Sequence, residues 1–155
     1  KLLLADEPTT ALDVTIQAQV LKMMNELKDK FGASMVLITH DLGVVAQICD
    51  HVAIMYAGEI IEIGTVLDIF ESENHHPYTV GLFGAIPDMT KKTERLSPIE
   101  GLMPDPTSPP PGCRFADRCP RRMDLCETAS PRSLPVNEAA HKIKCHLFTA
   151  AGGEC

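Results

Sequence analysis

The apolar positions in the first 71 residues fall into two kinds of run. Residues 2–5 (Leu-Leu-Leu-Ala) and 34–39 (Ser-Met-Val-Leu-Ile-Thr) are apolar without alternation, the pattern of strands buried on both faces. Between them Ile16, Val20, Met24, Leu27 and Phe31 recur at steps of 4, 4, 3 and 4. That is one stripe of a helix over 14–30, with Gly32 as its stop. Residues 42–49 read as a short helix with Asp41 as its N-cap. Strands are predicted over 52–56 and 59–63, joined by a tight turn at Ala57-Gly58, and a further helix starts near Thr65. Strand, helix, strand, helix, strand predicts a parallel sheet with crossover helices, closed here by an antiparallel hairpin.

Beyond residue 71 the pattern changes. Tyr78, Leu82, Phe83 and Ile86 have helical spacing, and Pro77 suits a first helical turn. Residues 88–112 are charged and then rich in proline, the composition of an extended strap. Leu96, Ile99, Leu102 and Met103 are its candidate docking side chains. Composition sharpens the division. Of the chain's 155 residues, 1–71 hold 4 basic and 11 acidic residues and so carry the whole net charge of −7, while 72–155 hold 10 of each. Eleven of the 12 prolines and five of the 6 cysteines lie in the second part. Three segments are therefore expected: a regular α/β part over 1–71, a helix and strap over 72–112, and a Cys-rich extension over 113–155. An acidic chain lacks the basic footprint of a nucleic-acid binder. No apolar run approaches the roughly 18 residues of a membrane span. The chain opens at Lys1 inside an apolar run, which reads as a fragment.

In parallel sheets ligands bind beyond the carboxyl ends of the strands. Two polar clusters stand there: Asp6-Glu7-Pro8-Thr9 after the first strand, and Thr39-His40-Asp41 after the second. Acidic residues often end strands and a lone His often caps one, so each cluster alone is a weak signal. Together with Ala11-Leu12-Asp13 they are specific. The run from Leu2 to Asp13 resembles the Walker B motif and D-loop of ATP-binding-cassette (ABC) transporter ATPases, and Ile38-Thr39-His40-Asp41 is similar to their switch-histidine loop.

Phosphoryl-transfer chemistry accounts for the residue types. Mg²⁺ on the β- and γ-phosphates needs a hard carboxylate at a strand end, which suits Asp6. The attacking water needs a second carboxylate as base, which suits Glu7. The resemblance implies that His40 senses the γ-phosphate and that Asp13 lies at a dimer seam facing the partner's nucleotide. The Gly-rich phosphate loop with its Lys, the signature motif and the Q-loop do not occur in these residues. The resemblance thus implies a truncated P-loop NTPase sheet, the C-terminal part of a subunit. Alone it is expected to be inactive as an ATPase and to expose apolar edges.

Cys113, Cys119, Cys126 and Cys145 follow with gaps of 5, 6 and 18 residues, while Cys155 and Cys49 stand apart. Disulfides need an oxidising compartment. Structural zinc favours Cys-x(2–4)-Cys pairs, which are absent here. An iron–sulfur cluster accepts looser spacing. By residues alone these readings stay open, as does a set of unliganded thiols. The run from Pro110 to Pro120 (Pro-Pro-Gly-Cys-Arg-Phe-Ala-Asp-Arg-Cys-Pro), with His76-Pro77-Tyr78-Thr79 and Ala85-Ile86-Pro87, resembles the oligopeptide/dipeptide importer ATPases. That resemblance implies a [4Fe–4S] cluster on Cys113, Cys119, Cys126 and Cys145; on the residues themselves Zn²⁺ stays the alternative, and His146, next to Cys145, is a substitute ligand for it. Arg114, Arg118, Arg121 and Arg122 would offset its charge or form a solvated basic face. His75 and His76 are expected to be exposed loop residues.

The function implied is the ATP- and Mg²⁺-dependent subunit of an importer for oligopeptides or dipeptides. Such a subunit works on the cytoplasmic face of the plasma membrane. It pairs with a second ABC ATPase, identical or not, and with two transmembrane permease subunits, and it serves an extracytoplasmic solute-binding protein indirectly. Import of nickel or another small solute is the in-class alternative, and an ATPase serving DNA repair or translation is a weaker one. A non-enzymatic metal-binding module is the out-of-class alternative.

Overall fold

A computed structural model of the chain describes residues 1–85, 99–136 and 140–148. The expectations for Ile86, Leu96, Cys155 and most of the charged part of the strap lie outside these. The chain divides into two compact units, Lys1–Asp50 and His51–Cys155, a boundary that does not coincide with the composition change at residue 71.

In the first unit β1 (Leu2–Asp6) and β2 (Ser34–Ile38) pair in parallel, in register from Leu2↔Ser34 to Asp6↔Ile38. The crossover between them is α1 (Val14–Phe31). Asp13 caps its N-terminus by accepting from Thr15 and Ile16 N–H, and Gly32 ends it at φ +55°, the left-handed conformation that terminates helices. The helix lies where the stripe predicts, but its seated face is rotated: Leu21 and Met24 are buried, whereas Ile16, Leu27 and Phe31 stay exposed. The sheet likewise leaves Leu2 61% and Leu4 69% exposed. After β2 comes α2 (Leu42–Ile48), capped by Asp41 as predicted and seated on Val44.

The second unit corrects the expected sheet. The third strand does not extend the parallel pair. The expected antiparallel hairpin of β3 (His51–Tyr56) and β4 (Glu59–Thr65) forms, but within a separate four-stranded sheet of order β3-β4-β6-β5, where β5 is Ser133–Pro135 and β6 is Lys142–Lys144. Ala57 at φ +46° and Gly58 make a two-residue turn, and such a turn imposes antiparallel pairing. A register shift between Ile54 and Met55 leaves Ile61 as an extra residue on β4. This bulge points both Ile61 and Glu62 inward, and both are buried.

Two helices follow. Helix α3 (Val66–Glu71) opens with a Thr65–Asp68 capping box, and α4 (Pro77–Gly84) has Pro77 in its first turn. A short 3₁₀ turn (Ala116–Arg118) and α5 (Leu125–Thr128) carry the Cys-rich segment. The core holds Ile54, Tyr56, Ile61, Ile69 and Phe115, with Tyr78, Phe83, Ile99, Cys113 and Cys119 packed on it. Phe115 meets Tyr56 and Tyr78 edge-on at centroid distances of 5.2 and 5.6 Å. The extension therefore shares one core with the β3–β4 hairpin. Of the strap's candidate docking side chains, Ile99 joins that core, while Leu102 is 90% exposed. Among the described residues no helix is long and apolar enough to cross a membrane.

Candidate functional site

The parallel pairing places both polar clusters at one end of the β1–β2 pair. Asp6 ends β1 in register with Ile38 and is exposed. Glu7 N–H then donates to Ile38 C=O at 2.8 Å, and Glu7 itself adopts φ +47°. A non-glycine residue in that region carries strain of about 1–2 kcal/mol; here it turns the carboxylate toward the second strand's loop. His40 Nδ1 lies 2.8 Å from Glu7 Oε1. The other oxygen, Oε2, accepts from the Thr10 hydroxyl. Thr10 and then His40 hold the Glu7 carboxyl below its ordinary range, and Glu7 raises the His40 imidazole above its own. Asp13 is not brought into this contact; its carboxylate caps α1.

The sign of the pH dependence follows. The Glu7 contribution is present above its unfolded value and lost as pH falls through the depressed one. The His40 contribution is present below its unfolded value and lost as pH rises through the elevated one. The pair is fully charged only between the two folded values. Nuclear magnetic resonance titration of the His40 ring is expected to give a midpoint above that of a free histidine, about 6.5. Glu7→Gln should move it down toward that value. An unshifted midpoint in the unsubstituted protein would show that the pair does not form.

The four extension cysteines are brought together. They lie near enough to one another that a thiolate on one disfavours a thiolate on the others. Burial raises the thiols of Cys113 and Cys119, and pushes Cys145 up to about 11. Opposing this, nearby backbone N–H groups favour the thiolate form: Phe115 and Ala116 beside Cys113, Arg121 beside Cys119, Leu147 beside Cys145. The loops approach closely because position 112 is glycine. A Cβ there would lie 2.1 Å from the Cys126 carbonyl oxygen, which accepts the Cys113 N–H at 2.8 Å.

The nearby arginines have partners of their own. Arg114 pairs with Glu59 at 3.2 Å and donates to Ala57 C=O. Arg118 donates to the carbonyls of Ile99 and Glu100 at 2.9 Å, and Arg122 pairs with Glu127 and Asp117. Arg114 and Arg118 fasten the extension to the hairpin turn and the strap, and Arg122 links two of its own turns. His146 is turned to the backbone instead: its Nε2 donates to the Ala129 carbonyl oxygen at 2.8 Å.

A third cluster went unread in the sequence. Glu62 is 1% exposed. Its Oε1 meets His75 Nδ1 at 2.7 Å and His141 Nε2 at 2.9 Å, while Oε2 accepts from His76 N–H at 2.8 Å and the Thr79 hydroxyl at 2.6 Å. His75 and His76 are thus not exposed loop residues. His76 is buried and caps α4 by accepting from Tyr78 N–H at 3.0 Å; burial lowers its imidazole to about 4, so the accepting nitrogen is unprotonated.

Glu62, His75 and His141 have the residue types of a metal site, but their separations are hydrogen-bond lengths. Ligand atoms around tetrahedral zinc stand roughly 3.3 Å apart. His141 Nδ1 is buried without a partner. Metal ligation through Nε2 would strand a proton there, whereas Nε2–H donation to Glu62 leaves only a lone pair. The cluster is a clasp joining β4, α4 and β6.

The family described as oligopeptide/dipeptide transporter, C-terminal region, matches residues 61–126. The chain is 51% identical over 154 residues to the oligopeptide transport ATP-binding protein AppD of Bacillus subtilis, covering 99% of this chain and 46% of that protein. It is 53% identical over 146 residues to the dipeptide transport ATP-binding protein DppD of the same organism, covering 94% of this chain and 43% of the relative. It is 49% identical over 131 residues to OppD of Salmonella typhimurium, covering 84% and 39%. The chain belongs to the oligopeptide/dipeptide transport ATP-binding family. It spans less than half the length of these relatives. The family match holds the Glu62 clasp's His75 and three of the four clustered cysteines, while Glu7, His40 and Cys145 lie outside it.

Proposed function

We propose that this chain is the C-terminal part of the ATP-hydrolysing subunit of an importer for oligopeptides or dipeptides. The observation that carries the reading is the Glu7–His40 contact at the carboxyl ends of adjacent parallel strands. In this reading the substrate is MgATP. Asp6 supplies the carboxylate for Mg²⁺ at the end of β1. Glu7 accepts a proton from the attacking water and orients it. His40, at the neighbouring strand end, contacts the γ-phosphate, and its hydrogen bond to Glu7 sets the distance between base and sensor. Asp13, on the turn before α1, faces a second ATPase subunit. The two transmembrane partners convert closure and opening of that pair into transport, so the subunit works peripherally at the cytoplasmic face of the membrane.

The four thiols are assigned to a [4Fe–4S] cluster, with Cys113, Cys119, Cys126 and Cys145 as ligands. What supports this is their convergence: Cys113 and Cys119 pack on one core, and the Cys113 N–H bonds the Cys126 carbonyl across the close approach that Gly112 permits. When bound, the cluster supplies cross-links to a segment with little secondary structure of its own. Full-length protein purified without oxygen is expected to contain iron and acid-labile sulfide in equal amounts. Cys126→Ser should lose both. Stoichiometric zinc without sulfide would assign the site to zinc instead.

A further inference from the structure

We propose that Gln17 is a positioning residue that ties the first turns of α1 to the His40–Asp41 turn, so that the seam loop ending at Asp13 and the switch histidine move as one piece; this rests on the ATPase reading above. Gln17 stands one turn into α1, its N–H bonded to Asp13 C=O at 2.9 Å. Asp13 Oδ1 in turn accepts from Thr15 and Ile16 N–H at 3.0 Å each. The Gln17 side-chain Nε2 crosses to Asp41 Oδ2 at 3.1 Å, a partly buried bond between residues 24 apart in sequence.

Asp41 divides its two oxygens between two tasks. Oδ1 caps α2 by accepting from Gly43 at 2.9 Å and Val44 at 3.2 Å, and Oδ2 takes the Gln17 amide. Gln17 is the largest influence holding the Asp41 carboxyl low. Asp41 is covalently next to His40, and its own N–H is fixed by Thr39 Oγ1 at 3.1 Å. A continuous chain of contacts therefore runs from Asp13 through Gln17 and Asp41 to His40 and Glu7.

The helix contacts alone do not supply this link. Helix α1 seats Leu21 and Met24, one to two turns further on, and α2 seats Val44. The Gln17 amide is what grips the loop itself. A partner pressing on Asp13 displaces the first turn of α1. Through Gln17 the same displacement reaches Asp41 and shifts His40 relative to Glu7. An apolar residue at 17 leaves Asp41 Oδ2 without its donor and lets the two loops move independently.

The test uses the full-length subunit. Gln17→Met is expected to lower kcat about tenfold while KM for MgATP stays within about twofold. Gln17→Lys, which offers Asp41 a donor again, should recover most of the loss. Asp41→Ser keeps an α2 cap with its single hydroxyl oxygen but leaves no second oxygen for the Gln17 amide, so the Gln17→Met, Asp41→Ser double variant should be no slower than the slower single variant. The proposal is overturned if kcat of Gln17→Met stays within about twofold of the parent, if Gln17→Lys does not recover it, if the two substitutions add, or if the loss tracks thermal unfolding at the assay temperature. Glu7→Gln, run in parallel, separates the two readings. Undiminished turnover there removes Glu7 as the base, whatever Gln17 does, and an absence of ATP turnover in the parent sinks the ATPase assignment itself.

Discussion

Glu7→Gln, placed in the full-length subunit, is expected to leave ATP binding intact and to reduce turnover by at least about 100-fold. General-base catalysis by a positioned side chain contributes roughly 10²–10⁴, and the amide cannot take a proton. The substitution is close to isosteric. The Thr10 hydroxyl can still donate to the amide oxygen, and the backbone N–H bond to Ile38 is untouched. The fold of the strand end should therefore survive, and the loss should fall on kcat. Equilibrium binding of a fluorescent ATP analogue and steady-state phosphate release measure the two parts. Turnover within about threefold of the parent would remove Glu7 as the base. A loss of both binding and turnover would make it a structural residue.

Glu62→Leu is expected to cost about 3–5 kcal/mol, the range for removing one partner of a buried charged network. Four donors converge on this carboxylate: two imidazoles, a backbone N–H and a hydroxyl. All lose their acceptor in the same step. The donors come from segments 13 to 79 residues away in sequence, so the substitution detaches α4 and β6 from β4 together. Urea unfolding of the full-length protein should show the loss as a lower midpoint or as a separate early transition. Glu62→Gln, which keeps an acceptor oxygen, should cost less than Glu62→Leu. Equal unfolding midpoints for parent and Glu62→Leu would mean that the clasp does not hold the unit.

Much of the local structure was legible because local physics decides it. The stop at Gly32, the cap at Asp41, the turn at Ala57-Gly58 and the proline start of α4 each depend on residues within one turn of each other. All stand where the sequence places them. The Asp6-Glu7 and His40 clusters were legible for a related reason. Strand ends carry ligands in parallel sheets, and two unalternating apolar runs flanking one helix predict a parallel pair.

The misreadings have physical causes too. Simple alternation in 59–63 puts Glu62 on the face of Ile60, which is exposed. The bulge at Ile61 reverses that parity, and nothing local announces it. His75 and His76 sit in a polar segment that reads as loop. They are buried because a carboxylate on a strand 13 residues earlier needs donors. The α1 spacing predicts Ile16, Leu27 and Phe31 inward; the buried line instead passes through Leu21 and Met24.

The sequence by itself determined the elements, their caps, the family and the residue types offered to each site. It also determined that the four cysteines lie in a segment too short of regular structure to hold itself. Only the tertiary structure decided which of these residues meet. The pairing of Glu7 with His40, the turning of Glu62 inward and the convergence of the four thiols all join residues far apart in the chain. Such contacts are set by strand pairing and a bulge, and by the closeness that Gly112 permits. These are properties of three-dimensional packing, where one residue of register changes every partner.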